Sequence, residues 1–207
     1  MPLVFQYVIN ASSSVGLWHI LEEESFFTLE DVVTKTIAHP HKRLQHLAGR
    51  YLLTILHHGL PVHQIKISET NKPYLSGDAC HFSISHCGNY AAAIVCESAP
   101  AGIDVEVITD KALKLAFKFM NESEHQYLNG DEVHDRKIAT AIWSIKEAVF
   151  KWYGKGAVNF KTHISVDSYP DPDSDGLVHV SFTKDAPVNL RLEIRWQKDH
   201  VVVWLCQ

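Results

Sequence analysis

The chain has 207 residues, of which 46% are hydrophobic and 21% are charged, and its formal net charge is −5. This composition is that of a globular protein, and the length suits one domain or two small ones. The negative charge excludes a general nucleic-acid binder, whose contacts with phosphates need a basic surface. No segment approaches the roughly 20 apolar residues of a membrane helix, and the N-terminus lacks a basic signal region. We therefore expect a cytoplasmic protein that contacts neither nucleic acid nor membrane.

Cysteine and histidine usage bears on redox state and zinc. The four cysteines are Cys80, Cys87, Cys96 and Cys206. None forms a Cys-x-x-Cys pair, and we interpret all four as reduced thiols of a cytosolic protein. Zinc ligands are conceivable at His57-His58, or at Cys80-His81 with His86-Cys87, but neither arrangement has the spacing of a common structural zinc site. We do not expect zinc.

The first half of the chain opens with strand-like segments and one strong helix pattern. Leu3–Ile9 and Gly16–Ile20 are predicted as short strands around a serine-rich turn. Glu22–Val33 is predicted as a helix. Apolar residues then recur at helical spacing over Lys42–His57, which predicts an amphipathic helix that Gly59 ends.

Short strands dominate the middle of the chain. Ile65–Ile67, Phe82–Ser85 and Tyr90–Cys96 are predicted as strands, and Ile103–Val107 is the strand that opens the second half. The Pro-Ala-Gly sequence at residues 100–102 is the expected junction between two subdomains. The first would span residues 1–101 and the second residues 102–207.

The second half contains a helix followed by a meander. Asn121 and Glu124 have the spacing of a helix N-cap with its reciprocal acid, and Asp135–Trp152 is predicted as the second long helix. Three strands are predicted near the C-terminus, at Leu177–Phe182, Leu190–Trp196 and Val201–Leu205. Hairpin-like strands mixed with helices indicate an α+β (mixed α/β) fold rather than an alternating parallel sheet.

Three acidic residues are the most informative feature of the chain. Asp104 and Glu106 alternate with apolar residues, so on a strand both point to one face. About forty residues later, Trp143, Glu147 and Lys151 recur at i, i+4 and i+8 and share a helix face. Carboxylate oxygens beside a cation suit a Mg²⁺ site that handles a phosphorylated substrate. A solvated edge strand and an ordinary i,i+4 helix pair explain the same spacing and stay open at this point.

Several motifs in order resemble the 4′-phosphopantetheinyl transferase superfamily, in its longer, monomeric, surfactin-synthetase-activating type. They are Asn71-Lys72-Pro73-Tyr74, His81-Phe82-Ser83-Ile84-Ser85-His86, Gly102-Ile103-Asp104-Val105-Glu106, Phe117-Lys118-Phe119-Met120 running to Glu124, and Trp143-Ser144-Ile145-Lys146-Glu147-Ala148 with Lys151. The resemblance covers roughly residues 40–160. Each motif alone is unspecific, and the family similarity rests on their order and spacing.

The resemblance implies both a reaction and an architecture. Such enzymes transfer the 4′-phosphopantetheine arm of coenzyme A to a serine of an acyl or peptidyl carrier protein and release adenosine 3′,5′-bisphosphate. The implied fold has two similar subdomains related by a pseudo-two-fold axis, with the site in the cleft between them. Mg²⁺ is the implied cofactor, with Mn²⁺ as an alternative, and coenzyme A is the substrate.

The resemblance also implies roles for the acids and their neighbours. It makes Asp104, Glu106 and Glu147 the metal ligands. Glu147 or a metal-bound water is the implied general base, and Glu124 is a weaker candidate that also fits a helix cap. Lys151, one turn after Glu147, is expected to stabilise charge on a diphosphate oxygen.

Other residues match the coenzyme A-binding positions of the family. Ser85 and His86 correspond to its Ser-His pair, and a histidine on a phosphate is favoured in its charged form. Lys72 would hold the 3′-phosphate and Pro73 would stiffen that segment. Further basic residues expected near the ligand are Lys42, Arg43, Arg50 and Lys155.

Three other functions would use some of the same residues. A serine hydrolase using Ser85 and His86 is disfavoured, because the two are adjacent and no Gly-x-Ser-x-Gly elbow is present. A metal-dependent phosphodiesterase would use the same acids on a positioned water. A non-catalytic carrier-binding module would keep the cleft without the chemistry, and coenzyme A binding with and without Mg²⁺ discriminates between the alternatives.

We expect an acidic carrier protein to dock on apolar and basic rim residues, because the body carries a net charge of −5.

Overall fold

A computed structural model describes residues 2–27, 37–77 and 80–207. Its strands are β1 (Leu3–Asn10), β2 (Ser13–His19), β3 (Lys66–Ile67), β4 (Pro73–Tyr74), β5 (His81–Cys87), β6 (Tyr90–Cys96), β7 (Ala101–Val107), β8 (Ile164–Val166), β9 (Gly176–Phe182), β10 (Val188–Trp196) and β11 (His200–Cys206). Its α-helices are α1 (Pro40–Leu56), α2 (Asp110–Phe119), α3 (Glu122–His125), α4 (Glu132–Tyr153) and α5 (Phe160–His163). Mixed α+β architecture is thereby confirmed. None of the helices in these ranges is long and apolar enough to cross a membrane.

The first sheet has the strand order β1-β2-β6-β5 and is antiparallel throughout. Helix α1 packs against it through an apolar face whose Leu52 and Leu53 are fully buried. These leucines share a core with Trp18 and Ala93 of the sheet. Burial of this face, rather than helix propensity alone, stabilises α1 in its place.

The second sheet has the order β7-β11-β10-β9-β8, again antiparallel. Helix α4 packs against it through Ile138, Ile142 and Ile145, none of which is exposed. Asp131 caps the N-terminus of α4 by accepting a hydrogen bond from the His134 amide. Gly154 ends the helix in the left-handed conformation, with φ of 70°.

A third apolar core joins the two sheets. It packs Val15 and Ile94 of the first sheet against Ile103, Val202 and Trp204 of the second. Because of this core, β5 runs beside β7 although the two strands belong to different sheets, and their side chains contact each other. The acidic motif on β7 therefore lies at the junction of the two sheets.

Helix α4 approaches β7 closely because β7 contains Gly102. A Cβ atom at this position would overlap the Ala148 carbonyl oxygen and lie 2.8 Å from the Trp152 amide nitrogen. The contact brings the helix backbone down onto the strand. The glycine thus sets how near the acids of α4 lie to those of β7.

Most predicted elements are confirmed, including a strand at each predicted strand segment, and a few assignments are corrected. Both long helices and the C-terminal meander form, with ends shifted by a few residues. The helix predicted over Glu22–Val33 is wrong where it is described, because Glu24–Phe26 forms only a 3₁₀ turn and residues 28–36 lie outside the described ranges. Ser12 lies in the predicted first turn, whereas Ser13 and Ser14 begin β2 instead, and His86 and Cys87 extend β5. Helix α2 and strand β8 were not predicted.

The assignment of four reduced thiols is wrong for two of them. Cys96 at the end of β6 and Cys206 at the end of β11 form a disulfide with a Cα–Cα separation of 6.4 Å, within the usual range. The pairing was not visible in the sequence because 110 positions separate the two residues and only the packing of the two sheets brings them together. Cys80 and Cys87 are free. The predicted cytoplasmic location therefore loses the support of these two thiols and stays a prediction. The predicted boundary between two subdomains, at residues 101 and 102, also stays a prediction.

Candidate active site

Hydrogen bonds from β5 hold both carboxylates of β7. Ser85 donates its hydroxyl to Asp104 Oδ1 at 2.8 Å, and the Cys87 thiol donates to Glu106 Oε2 at 3.1 Å. Each pair is separated by the same number of residues, so the two strands run side by side in the same direction. Since residues i and i+2 of a strand share a face, the donors and the acids face each other across the junction.

Helix α4 completes the group from the other side. Trp143 donates its indole N–H to Glu106 Oε1 at 3.1 Å. Lys151 Nζ donates to Asp104 Oδ1 at 2.7 Å and to the Ser85 hydroxyl at 2.8 Å. Both residues lie on one helix face with Glu147 between them, as their spacing predicts.

The acids carry more negative charge than Lys151 offsets. Burial, reinforced by the neighbouring charges of Asp104 and Glu106 and opposed by Lys151, raises the pKa of Glu147 to about 7. Burial and the charge of Asp104 also raise the pKa of Glu106. A raised pKa means that the fold disfavours the ionised carboxylate. A cation placed among these three groups would relieve that repulsion.

The donor set fits a hard divalent ion, although these residues do not form a ready-made ligand cluster. Across the described ranges, no group of three or more His, Cys, Asp or Glu side chains is arranged to hold a metal. Lys151 occupies Asp104 Oδ1, and the Glu106 oxygens are engaged by Cys87 and Trp143. The other oxygen of Asp104, Oδ2, is buried without a hydrogen-bond partner. An unpartnered carboxylate oxygen next to two acids with raised pKa values is the chemistry that Mg²⁺ neutralises.

Basic residues lie beside the acids at the end of β5. His86 keeps an open face to solvent, yet partial desolvation and then the charge of Lys151 lower its pKa. Arg50 of α1 is buried and donates to His46 Nδ1 at 3.0 Å. Burial, followed by the charges of Arg50 and His86, lowers the pKa of His46 to about 4. Lys42, which is exposed on α1, also lowers the pKa of His86.

A cavity of about 200 Å³ places Lys72 near Lys151. Its walls are Thr70, Asn71, Lys72, Pro73, Phe82, Ser83, Ile84, Phe150, Lys151 and Gly154. Lys72 Nζ donates to the Trp152 carbonyl oxygen at 3.1 Å, and burial lowers the pKa of Lys72. The cavity therefore joins two lysines that the sequence separates by nearly eighty positions.

A second cavity of about 200 Å³ borders the site on its other side. It lies between β7, α2 and α4 and has Glu106 and Trp143 in its wall. Apart from Glu106 and Lys111, its lining is apolar or carries a threonine hydroxyl. The acidic group thus lies between one lysine-lined cavity and one largely apolar cavity.

Three residues expected at the site have other partners. Arg43 pairs with Glu24, with Nε 2.8 Å from Oε1. Lys155 is exposed and lies 3.7 Å from an oxygen of Asp185. Glu124 is fully buried beneath the surface in an α3 capping box, which confirms the capping interpretation.

Three residues of the site were missed in the sequence. Cys87 contacts Glu106, His46 contacts Arg50, and Thr70 donates its hydroxyl to the Gly154 carbonyl at 2.7 Å. The position of Cys87, two residues after Ser85, was a usable signal, because alternate strand residues face the same way. His46 lies one helical turn before Arg50, and this i,i+4 spacing was a second usable signal.

Comparison with known proteins points to one family. A chain from Aneurinibacillus migulanus, the 4′-phosphopantetheinyl transferase gsp, is 31% identical over 114 residues, covering 53% of this chain and 46% of its own length. The psf-1 transferase of Bacillus pumilus is 36% identical over 118 residues, covering 53% and 50%. The AcpT transferase of Salmonella typhi is 33% identical over 132 residues, covering 61% and 66%. The chain spans about half the length of the first two relatives.

The family comparison covers the part of the chain that carries all three acids. The family description that matches is "4′-phosphopantetheinyl transferase superfamily", over residues 100–203, which is half of the chain. This stretch contains β7, α4 and the terminal meander as far as residue 203. The resemblance drawn from the motifs, including its surfactin-synthetase-activating type, is confirmed, and the chain belongs to the 4′-phosphopantetheinyl transferase superfamily.

Proposed function

We propose that this protein transfers the 4′-phosphopantetheine arm of coenzyme A to a serine of an acyl or peptidyl carrier protein and releases adenosine 3′,5′-bisphosphate. The observation that carries the proposal is the convergence of Asp104, Glu106 and Glu147 with Lys151 at the junction of the two sheets. The named relatives are 4′-phosphopantetheinyl transferases, and the family match covers residues 100–203, which include all four of these residues.

The three acids are the proposed Mg²⁺ ligands, with Mn²⁺ as an alternative ion. When bound, the ion neutralises charge on the diphosphate of the substrate. The unpartnered Oδ2 of Asp104 and the raised pKa values of Glu106 and Glu147 support this role. Lys151 would leave Asp104 Oδ1 to the ion and donate to a phosphate oxygen, since its side chain is partly exposed toward the neighbouring cavity.

Proton removal from the attacking serine is assigned to Glu147. In the metal-free protein, burial and then the charge of Asp104 raise its pKa to about 7, so this carboxylate accepts a proton more readily than an ordinary glutamate, as a general base must. Glu124 is unsuited to this role, because it has no exposed surface and its carboxylate pairs with Lys146 at 2.7 Å. We therefore drop Glu124 as a candidate base.

The lysine-lined cavity is the proposed position of the phosphorylated end of coenzyme A. Lys72 would hold the 3′-phosphate beside Pro73, and His86 and Ser85 would contact the diphosphate with Lys151. Lys42 supplies further positive charge near His86, and Arg50 supplies it near the neighbouring His46. Arg43 and Lys155 would contact the ligand only after leaving Glu24 and Asp185, so we assign them no direct role.

The remaining features of the proposal concern partners and context. We propose a monomeric, cytoplasmic enzyme with subdomains at residues 1–101 and 102–207 that binds neither nucleic acid nor membrane. Its partners would be carrier proteins of fatty-acid, polyketide or nonribosomal-peptide biosynthesis. An acidic carrier protein would be repelled by a body with a net charge of −5. It would therefore dock on a local surface of basic and apolar residues.

The deciding experiment is intact mass measurement of apo carrier proteins after incubation with this protein, coenzyme A and Mg²⁺. We expect a mass gain of one phosphopantetheine on the carrier, lost without metal and in Glu147→Gln. Glu132→Gln is the matched control, because Glu132 lies on the same helix but is exposed and far along the chain from the acids.

Two parallel assays separate the alternative functions, one with a holo carrier protein and one that measures carrier and coenzyme A binding with and without Mg²⁺. A phosphodiesterase would instead remove the arm from a holo carrier without affinity for intact coenzyme A. A binding module would bind the carrier with indifference to both Mg²⁺ and coenzyme A. Either result would overturn the transferase proposal.

A further inference from the structure

Glu106 is held on both of its oxygens by neutral donors. The indole of Trp143 reaches Oε1 and the thiol of Cys87 reaches Oε2, each at 3.1 Å. Within the described ranges, no lysine, arginine or histidine forms an ion pair with Glu106. Asp104 differs, because Lys151 lies 2.7 Å from its Oδ1.

Neutral donors suit a carboxylate that has to accept a metal. A cation on Glu106 would compete with the ion for the same oxygens and would have to be expelled. A thiol or indole hydrogen bond restricts the orientation of the carboxylate and leaves its charge in place. Partners of this kind behind a metal ligand set its direction and contribute to affinity.

The position of the Cys87 thiol is set by the backbone around it. Cys87 pairs with Tyr90 across the β5–β6 hairpin, and Gly88 follows in a left-handed conformation with φ of 53°. A Cβ on Gly88 would lie 3.3 Å from a methyl carbon of Val107, so this turn is in close approach to the end of β7. The hairpin therefore fixes the thiol next to the strand that carries Glu106.

We propose that Cys87 is a positioning residue, whose thiol holds the Glu106 carboxylate in the direction needed for metal binding. The inference rests on the proposed function only in taking Glu106 as a metal ligand. Cys87 does not contact the substrate in this proposal. It acts through Glu106, to which its thiol donates as the Ser85 hydroxyl donates to Asp104.

The test compares variants that keep or remove the donor. Cys87→Ser keeps a hydroxyl donor, Cys87→Ala removes it, and Cys87→Val removes it while filling similar space. Cys80→Ala is the matched control, because Cys80 is the other free cysteine. Mn²⁺ affinity is measured directly by electron paramagnetic resonance, and the Mg²⁺ dependence of kcat and KM is measured separately. Thermal unfolding checks that each variant is folded.

We expect Cys87→Ala and Cys87→Val to bind Mn²⁺ about 10-fold more weakly, the effect typical of lost outer-shell partners. Cys87→Ser and Cys80→Ala should stay near the wild-type affinity. Wild-type Mn²⁺ affinity in folded Cys87→Ala and Cys87→Val would overturn the positioning role and leave the transferase proposal intact. Weakened Mn²⁺ binding without any carrier modification by the wild type would overturn the transferase proposal and support the positioning role. No Mn²⁺ binding by the wild type would overturn the positioning role together with the metal assignment.

Discussion

Lys146 Nζ lies 2.7 Å from Glu124 Oε2, and neither side chain has any exposed surface. The carbonyl oxygens of Phe119, Phe160 and Ile164 lie 2.8–2.9 Å from the same amine, whose three N–H groups are shared among these three oxygens and Glu124. Glu124 in turn accepts hydrogen bonds from the amides of Asn121 and Val166. The pair therefore ties α4 to the ends of α2 and α5 and to β8.

Removing one partner of this pair should destabilise the protein strongly. Lys146→Met leaves the Glu124 carboxylate buried without its cation, and loss of one partner of a buried ion pair costs about 3–5 kcal/mol. Urea unfolding of Lys146→Met should show this loss, whereas Lys161→Met, at an exposed lysine, should change the free energy of unfolding by less than about 1 kcal/mol. A Lys146→Met variant as stable as the control would show that the pair contributes little.

Gly102→Ala should be severely destabilising. The added Cβ would overlap the Ala148 carbonyl oxygen, and backbone atoms cannot move aside as a flexible side chain can. We expect a loss of at least about 3 kcal/mol in the free energy of unfolding, at the upper end for overpacking. Gly176→Ala is the control, because Gly176 also lies in a strand and a Cβ there meets nothing within 4 Å. Similar stability of the two variants would contradict the close helix–strand contact.

Sequence periodicity predicted the elements that bury a continuous apolar face. Helices α1 and α4 each bury eight or more residues, and such stripes are visible at helical spacing. Helix α2 fully buries only Ala116 and Phe119, but its apolar residues Ala112, Leu115, Ala116 and Phe119 also recur at helical spacing and pack against the core. The pattern for this short helix was therefore present in the sequence and was overlooked. The disulfide between Cys96 and Cys206 was beyond prediction, since it depends on how the two sheets pack.

Reduction of that disulfide should destabilise the protein. The bridge closes a loop of 110 positions, and a crosslink typically contributes about 2–4 kcal/mol by restricting the unfolded chain. We expect a phosphine reductant to lower the melting temperature of the wild type. It should not change the melting temperature of Cys96→Ser, which lacks the disulfide. Thiol titration in denaturant should give two free thiols without reductant, and four would contradict the pairing.

The candidate site was predictable in part. The common face of Asp104 and Glu106 followed from strand alternation, and the common face of Glu147 and Lys151 followed from helical spacing. The contact between Cys87 and Glu106 was not predictable, because it requires β5 and β7 to lie side by side although they belong to different sheets. Local periodicity assigns faces, whereas the pairing of faces comes from the packing of distant segments.

Lys72→Ala should weaken coenzyme A binding more than 3′-dephospho-coenzyme A binding. Lys72 is half-buried at the lysine-lined cavity and bonds only a carbonyl oxygen among the described residues, so its charge is available to a phosphate. A charge-assisted hydrogen bond contributes about 1.5–3 kcal/mol, or roughly a 10- to 100-fold loss of affinity. Calorimetry with both ligands checks this, with the exposed Lys66→Ala as the control. Equal losses for the two ligands would contradict the 3′-phosphate role.

The metal-free protein should lose stability as the pH rises, because of Glu147. Its folded-state pKa of about 7 lies above the ordinary value of 4.5, so the fold favours the protonated acid. The stabilisation is complete below about pH 4.5 and is lost as the pH rises through 7. Glu147→Gln stays neutral and should avoid this loss. In a chelator, we expect the variant to exceed the wild type by about 1–3 kcal/mol at pH 8, allowing for partial exposure, and by little at pH 5.

Thermal unfolding at the two pH values measures this gap, with Glu132→Gln as the control on the same helix. Addition of Mg²⁺ at pH 8 should raise the melting temperature of the wild type and not that of Glu147→Gln, because only the ionised carboxylate offers the ion its full charge. A gap that does not change between pH 5 and pH 8 would show that Glu147 titrates in the folded protein as it does in the unfolded chain. The charge repulsion among the three acids would then be too weak to favour a bound cation.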